Sequence, residues 1–382
     1  MSTSHPAPAD RPTPPSAPVP SLELTHDVAE LTAQLIDIRS VSDEEGPLAD
    51  AVEEALSGLE HLSVHRLGDT VVARTEQGRE QRIILAGHLD TVPLPTTAGA
   101  RGTVPSRWSQ EDGAHILYGR GATDMKGGVA VQLALAAELT APHRDLTFVF
   151  YDHEEVSSEL SGLGALIRQH PELIEDGDFA VLLEPTDGTI EGGCNGTLRF
   201  WLSTRGTAAH SGRAWRGHNA IHDLTEPLRI LSEYQPRQAE VDGLVYREGL
   251  NAVQIEGGVA GNVIPDAARL HINYRFAPDR SLDEAVAHLR ELFEGFELDF
   301  VDLSPGARPG LDAPLARELV DSVGQPPRPK YGWTDVARFS ALGIPAVNFG
   351  PGDALLAHTD DEHVAAQAVR DCRDQLRRWL TV

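Results

Sequence analysis

Four short apolar runs, at residues 71–74, 82–86, 146–151 and 180–183, constrain this chain more than any other feature. Each is rich in Val, Ile, Leu or Phe at consecutive positions, as a strand covered on both faces requires. Between the second and third runs, residues 128–139 carry Ala and Leu throughout and predict a helix. Apolar strands alternating with helices specify an α/β fold with helices on both faces of the sheet. In such sheets, sites gather beyond the carboxyl ends of the strands. His88 follows the second run, Glu154 and Glu155 follow the third, and Glu184 follows the fourth. These candidates therefore share one edge for a topological reason, independent of any motif.

The rest of the chain extends this frame. Residues 1–21 are rich in Pro, Ser and Ala and read as a disordered tail. Leu24, Val28, Leu31 and Leu35 fall at helical spacing, and a second helix is expected over 47–59. Residues 197–204 and 270–276 alternate as half-exposed strands do. Helices are expected over 219–231 and 281–293, which gives this segment an α+β character and marks it as an insertion. The α/β pattern then returns, with helices near 314–323, 335–342 and 365–380 and a strand at 346–349.

Bulk properties exclude several classes. The formal charge of −26 disfavours nucleic acid and anionic membranes as partners. No run of 18 apolar residues occurs, so a membrane span is not expected. No basic segment followed by an apolar one opens the chain, so a secretory signal is not expected. The only cysteines, Cys194 and Cys372, are far apart, which argues against a disulfide framework and suits a reducing cytoplasm.

Five stretches carry metal-binding residue types. In Gly87-His88-Leu89-Asp90-Thr91 an imidazole can ligate through one nitrogen while a carboxylate fixes the other; a polar surface turn has the same composition. Asp124 lies in Gly119-Arg120-Gly121-Ala122-Thr123-Asp124-Met125-Lys126-Gly127-Gly128. Its two oxygens can bridge two ions, or cap the helix that follows. In Asp152-His153-Glu154-Glu155, adjacent carboxylates repel unless something cationic sits nearby. Glu184 ends an apolar strand, where a carboxylate needs a partner, either an ion or a salt bridge. His358 lies in a turn-rich loop that continues through Asp360, Asp361 and Glu362.

Together these residues, in this order and spacing, resemble the di-zinc aminoacylase/carboxypeptidase metallopeptidases over roughly residues 25–380. The resemblance extends to the branch, in its actinobacterial form, that removes a succinyl group from N-succinyl-diaminopimelate. The stretches that carry it include Glu184-Pro185-Thr186-Asp187-Gly188, Ala209-His210-Ser211, Gly261-Asn262-Val263-Ile264-Pro265, Asn273-Tyr274-Arg275-Phe276 and Lys330-Tyr331-Gly332-Trp333-Thr334-Asp335.

The resemblance implies a zinc-binding catalytic domain of residues 22–195 and 304–382, with 196–303 inserted as an α+β dimerisation (lid) domain. It implies two zinc ions, replaceable by cobalt. His88 and Glu184 would hold one ion, Glu155 and His358 the other, and Asp124 would bridge them. Asp90 would orient His88, and Glu154 would be the general base. A cis peptide is implied at Asp124–Met125. His210 and Asn262 would hold substrate, with His210 reaching across a homodimer interface toward the oxyanion. Arg275 would anchor a substrate carboxylate or form a structural ion pair, and Arg213 is a further candidate cation. His153 stands where relatives vary and receives no role. The implied reaction is hydrolysis of an amide in a small-molecule substrate in lysine biosynthesis. Acetylornithine or a dipeptide is the nearest alternative substrate; a non-catalytic metal binder and an acidic scaffold rank below.

Overall fold

The computed structural model describes residues 21–381, so the expected tail lies, apart from Ser21, outside the described residues. Its main element is an eight-stranded mixed sheet. At the centre, Arg82–His88 runs parallel to both Asp145–Tyr151 and Phe179–Leu182, and Ala346–Asn348 runs parallel to the latter. Thr70–Arg74 and then Ser63–Leu67 continue one side antiparallel.

Both faces of this sheet are covered, as the consecutive apolar residues anticipate. Ile83 and Leu85 pack into a core that includes the helices Val28–Asp37, Gly46–Ser57, Lys126–Glu138 and Ala366–Leu380. Ile84 and Ala86 point the other way, toward Gly162–Gln169 and Val336–Ala341. This is the two-residue alternation of a strand, with apolar groups on both sides. The helix Lys126–Glu138 is buried over nearly its whole circumference. Burying one of its leucines fully contributes roughly 1.5–3 kcal/mol. Gly128 permits its close approach, because a Cβ there would stand 2.2 Å from the Leu183 carbonyl oxygen. That contact seats the helix against the chain segment that continues into Glu184.

A second, four-stranded antiparallel sheet orders Gly249–Gly257, Ala267–Phe276, Gly196–Arg205 and Glu297–Ser304. One face holds a separate core built on Leu198, Phe200, Leu270, Ile272 and the helix Leu282–Leu292. The chain enters this unit after Cys194 and leaves it before Ala307, and these two residues pair with each other. Gly249–Gly257 is an edge strand that exposes Val253 and Ile255.

The single helix expected over 219–231 is instead two, Ala220–Asp223 and Thr225–Glu233. Pro227 explains the break: it has no N–H for the Asp223 carbonyl, and its ring crowds that group.

Candidate metal centre

His88 is the last residue of Arg82–His88 and is almost completely buried. Its Nδ1 donates to the main-chain carbonyl of Asp90 at 2.9 Å. A carbonyl only accepts, so the proton belongs on Nδ1 and Nε2 is free to ligate. The expectation had the Asp90 carboxylate orienting His88, but that group stands 3.5 Å from Nδ1. It accepts instead from the backbone N–H groups of Glu154 (3.0 Å) and Glu155 (3.1 Å) and from Ser42 Oγ (2.8 Å). One residue thus fixes the imidazole with its backbone and the Glu154–Glu155 turn with its side chain.

Asp124 precedes the buried helix Lys126–Glu138 but does not cap it, because Met125 occupies the cap position without a side-chain bond. The Asp124–Met125 peptide is cis. The two Asp124 oxygens face different histidines: Oδ1 is 3.1 Å from His88 Nε2, and Oδ2 is 3.4 Å from His358 Nε2. His358 Nε2 also lies 2.8 Å from Glu155 Oε1. Its backbone has φ 64°, in the left-handed region, where a non-glycine residue is uncommon and often functional. Glu184 is buried, and its Oε1 has no hydrogen-bond partner among the described residues.

Three sets therefore offer ligand atoms within 4.8 Å of one another: His88, Asp124 and Glu184; Asp124, Glu155 and His358; and His88, Glu154 and Glu155. The first two share only Asp124, which is the arrangement a bridging carboxylate needs. Glu154 belongs to the third set, so proximity alone suits it to ligation as well as to proton transfer.

The electrostatics describe a site awaiting cations. Burial pushes Glu154 well above the usual carboxylate range, and Glu184, Asp335 and Glu155 reinforce that push against the opposing His88. Burial, with Asp124 beside it, brings Glu184 up to about 7. Hydrogen bonding to Asp124 and Glu155 raises His358 to about 10. Histidines and Lys330 are the cations that face these carboxylates. The oxygen and imidazole set suits a divalent metal, and a buried carboxylate oxygen without a partner is what a missing ligand bond leaves behind.

The substrate-side candidates fall into two groups. His210 and Asn262 are neighbours: Ser211 N–H donates to the Asn262 carbonyl at 2.9 Å, and His210 pairs with Val263. Arg213 lies in the same exposed turn. Arg275 is elsewhere, opposite Thr197. It is half-buried and has no carboxylate within ion-pair distance among the described residues, so the structural ion pair is not formed. His210 and Asn262 lie beyond the Ala267 end of the strand that carries Arg275. The eight residue steps from Ala267 to Arg275, at about 3.3 Å each, span roughly 26 Å of that strand.

His153, left without a role, also sits at positive φ (58°). Its Nδ1 is 2.7 Å from Asp152 Oδ2 and its Nε2 is 3.1 Å from Asp43 Oδ1, so the ring points away from the metal set. Two buried acids near the site went unassigned from sequence. Asp335, bound by Arg338 at 2.5 Å, bears on Glu154 electrostatically. Glu362 touches the Asp124 loop. Both lie inside stretches already singled out, but nothing in their spacing marks them as buried.

The family described as peptidase family M20/M25/M40 matches residues 84–381. A Mycobacterium tuberculosis protein named putative succinyl-diaminopimelate desuccinylase DapE is 52% identical over 365 residues, covering 94% of this chain and 99% of that protein. The succinyl-diaminopimelate desuccinylase of Corynebacterium glutamicum is 44% identical over 373 residues, covering 95% and 98%. Among solved structures, a Staphylococcus aureus tripeptidase superposes with a TM-score of 0.74 at 21% identity, covering 93% of this chain and 97% of that one. That likeness speaks to the fold alone.

Proposed function

Because this chain belongs to peptidase family M20/M25/M40, we propose that it is a two-zinc amidohydrolase that splits N-succinyl-L,L-2,6-diaminopimelate into succinate and L,L-diaminopimelate. It would act in the cytoplasm, in lysine biosynthesis. Two full-length relatives bear the name of that activity. The observation that carries the reading is the Asp124 carboxylate, whose two oxygens face two histidines, one ending a central strand and one in a distant loop.

In this reading, residues 22–195 and 304–382 form the metal-holding unit, and 196–303 form the lid. His88 and Glu184 would hold one zinc, Glu155 and His358 the other, with Asp124 serving both. Cobalt is a plausible chemical substitute for the same donor set. When bound, the two ions polarise the scissile carbonyl and acidify the attacking water. Glu154 is the general base. Its carboxylate takes the proton of the attacking water and returns it to the leaving amine nitrogen. Asp90 keeps it in place by binding the Glu154 and Glu155 amides. Arg275, with no carboxylate partner among the described residues, anchors a carboxylate of the substrate.

His210, Asn262 and Arg213 come from the partner subunit of a homodimer. Support for this is geometric: in one chain His210 and Asn262 lie beyond the Ala267 end of the strand, which is roughly 26 Å from Arg275 along it. The edge strand Gly249–Gly257 offers a surface for the second copy. Val253 and Ile255 are 59% and 58% exposed, and Ile221 lies beside Gly257. An unpaired apolar edge is a ready template for association. His210 of the partner subunit would donate to the developing oxyanion.

The test is a substrate panel of N-succinyl-diaminopimelate, N-acetylornithine and a dipeptide, assayed during zinc and cobalt titration. The reading expects the succinyl substrate to have the highest kcat/KM, at two metals per chain. A higher kcat/KM for acetylornithine or the dipeptide would reassign the substrate, and a chain binding no metal would refute the chemistry.

A further inference from the structure

Glu362 lies four residues after His358 and is completely buried. Its Oε1 accepts from two consecutive backbone N–H groups, Thr123 and Asp124, at 3.1 Å each. Its Oε2 accepts from Arg120 Nη1 at 2.7 Å. The backbone around it also joins the Asp124 loop to the His358 loop: Gly119 N–H donates to the Glu362 carbonyl, and Thr123 Oγ1 to the His363 carbonyl at 2.6 Å.

A bridging carboxylate is aimed by its backbone before any side-chain rotation matters. The amide of Asp124 is held by Glu362 and by no other side chain among the described residues. The chain that supplies this hold also supplies His358. From this geometry we propose that Glu362 is a positioning residue that locks the Asp124 loop to the His358 loop, so that the two metal positions are assembled together. The inference rests on the two-metal reading above.

A purely structural staple would show the same contacts, so the test must read more than stability. Full-length metal-free protein is titrated with Co2+ alone, followed by visible absorption, for the wild type, Glu362→Asp and the double variant Glu362→Gln/Arg120→Met. Aspartate keeps the charge opposite Arg120 but is one methylene short of serving it and both amides. Glu362→Asp should weaken both cobalt steps by about 10–100-fold, the usual cost of losing an outer support of a metal site. The double variant keeps an acceptor for the Thr123 and Asp124 amides and removes the buried charge pair. It should therefore titrate close to wild type. As a reference for lost stability without lost positioning, Asp145→Ala, at the far end of a central strand, should leave both steps unchanged.

Wild-type affinities in Glu362→Asp would overturn the proposal, as would weakening of one step alone. A wild-type chain that binds fewer than two cobalt ions would instead count against the two-metal reading.

Discussion

The central strands carry acidic residues at both ends, and the two ends treat them in opposite ways. At the amino end every buried charge has a partner. Asp145 accepts from Thr75 Oγ1 at 2.7 Å and from the amides of Gln77 (2.9 Å) and Arg79 (2.8 Å). Arg74 grips Asp176 at 2.6 Å, and Arg82 Nε reaches it at 3.0 Å. These bonds outweigh burial and hold Asp145 and Asp176 below the usual carboxylate range. At the carboxyl end, burial, reinforced by neighbouring carboxylates, pushes Glu154 and Glu184 up. The same residue types thus make a finished network at one end and an incomplete one at the other. Perturbation of the second kind, in one place, marks a functional site more reliably than acidity does.

The comparison can be broken most directly at Glu154. Glu154→Gln removes the proposed base but keeps the shape. Turnover should fall about 10²–10⁴-fold, a barrier increase of about 3–5 kcal/mol, while metal content persists. Near-normal turnover would remove Glu154 from the mechanism. The next effect is smaller. If only the carboxyl end lacks cations, divalent metal at a hundred times its dissociation constant should stabilise the fold by about 2.7 kcal/mol. Thermal melts with and without chelator would show this, and an unchanged melting temperature would contradict it. The smallest effect belongs to the amino end. Asp145→Ala strands three donors and should cost about 1–3 kcal/mol in urea unfolding, with kcat of the folded enzyme unchanged. The sign of its pH dependence follows from linkage. Folding lowers the pKa of Asp145, so its contribution is complete above the ordinary value near 3.8 and is lost as pH falls toward the folded value. The stability gap between wild type and variant should therefore narrow in acid, and a gap that widens there would refute the assignment.

Much of the larger sheet was legible because its strands are buried on both faces, and consecutive apolar residues are hard to read otherwise. The placement of His88, Glu154, Glu155 and Glu184 at one edge followed from the same signal. Of the antiparallel strands, those at 71–74, 197–204 and 270–276 were legible and others were not. Gly249–Gly257 is mostly exposed and lacks regular alternation, and Arg107–Glu111 reads as a polar loop. The division of labour within Asp90 was also hidden, since a sequence does not say whether a backbone carbonyl or a carboxylate meets an imidazole. Glu362 was hidden for a related reason. It follows Asp360 and Asp361, both exposed, and only the fold turns one acid of the run inward. The separation of His210 from Arg275 depends on sheet register, which local pattern does not contain.

The Cys194–Ala307 pairing has a consequence for how such an enzyme can change. The chain departs for the smaller sheet and comes back at nearly the same point, so the excursion resembles a long loop whose two feet are already tied together. Lengthening, trimming or exchanging the excursion need not shift the feet. New substrate contacts, or a different mode of subunit association, can then arise by variation in this one segment, while the strands that present the candidate metal ligands stay under their own separate packing constraints.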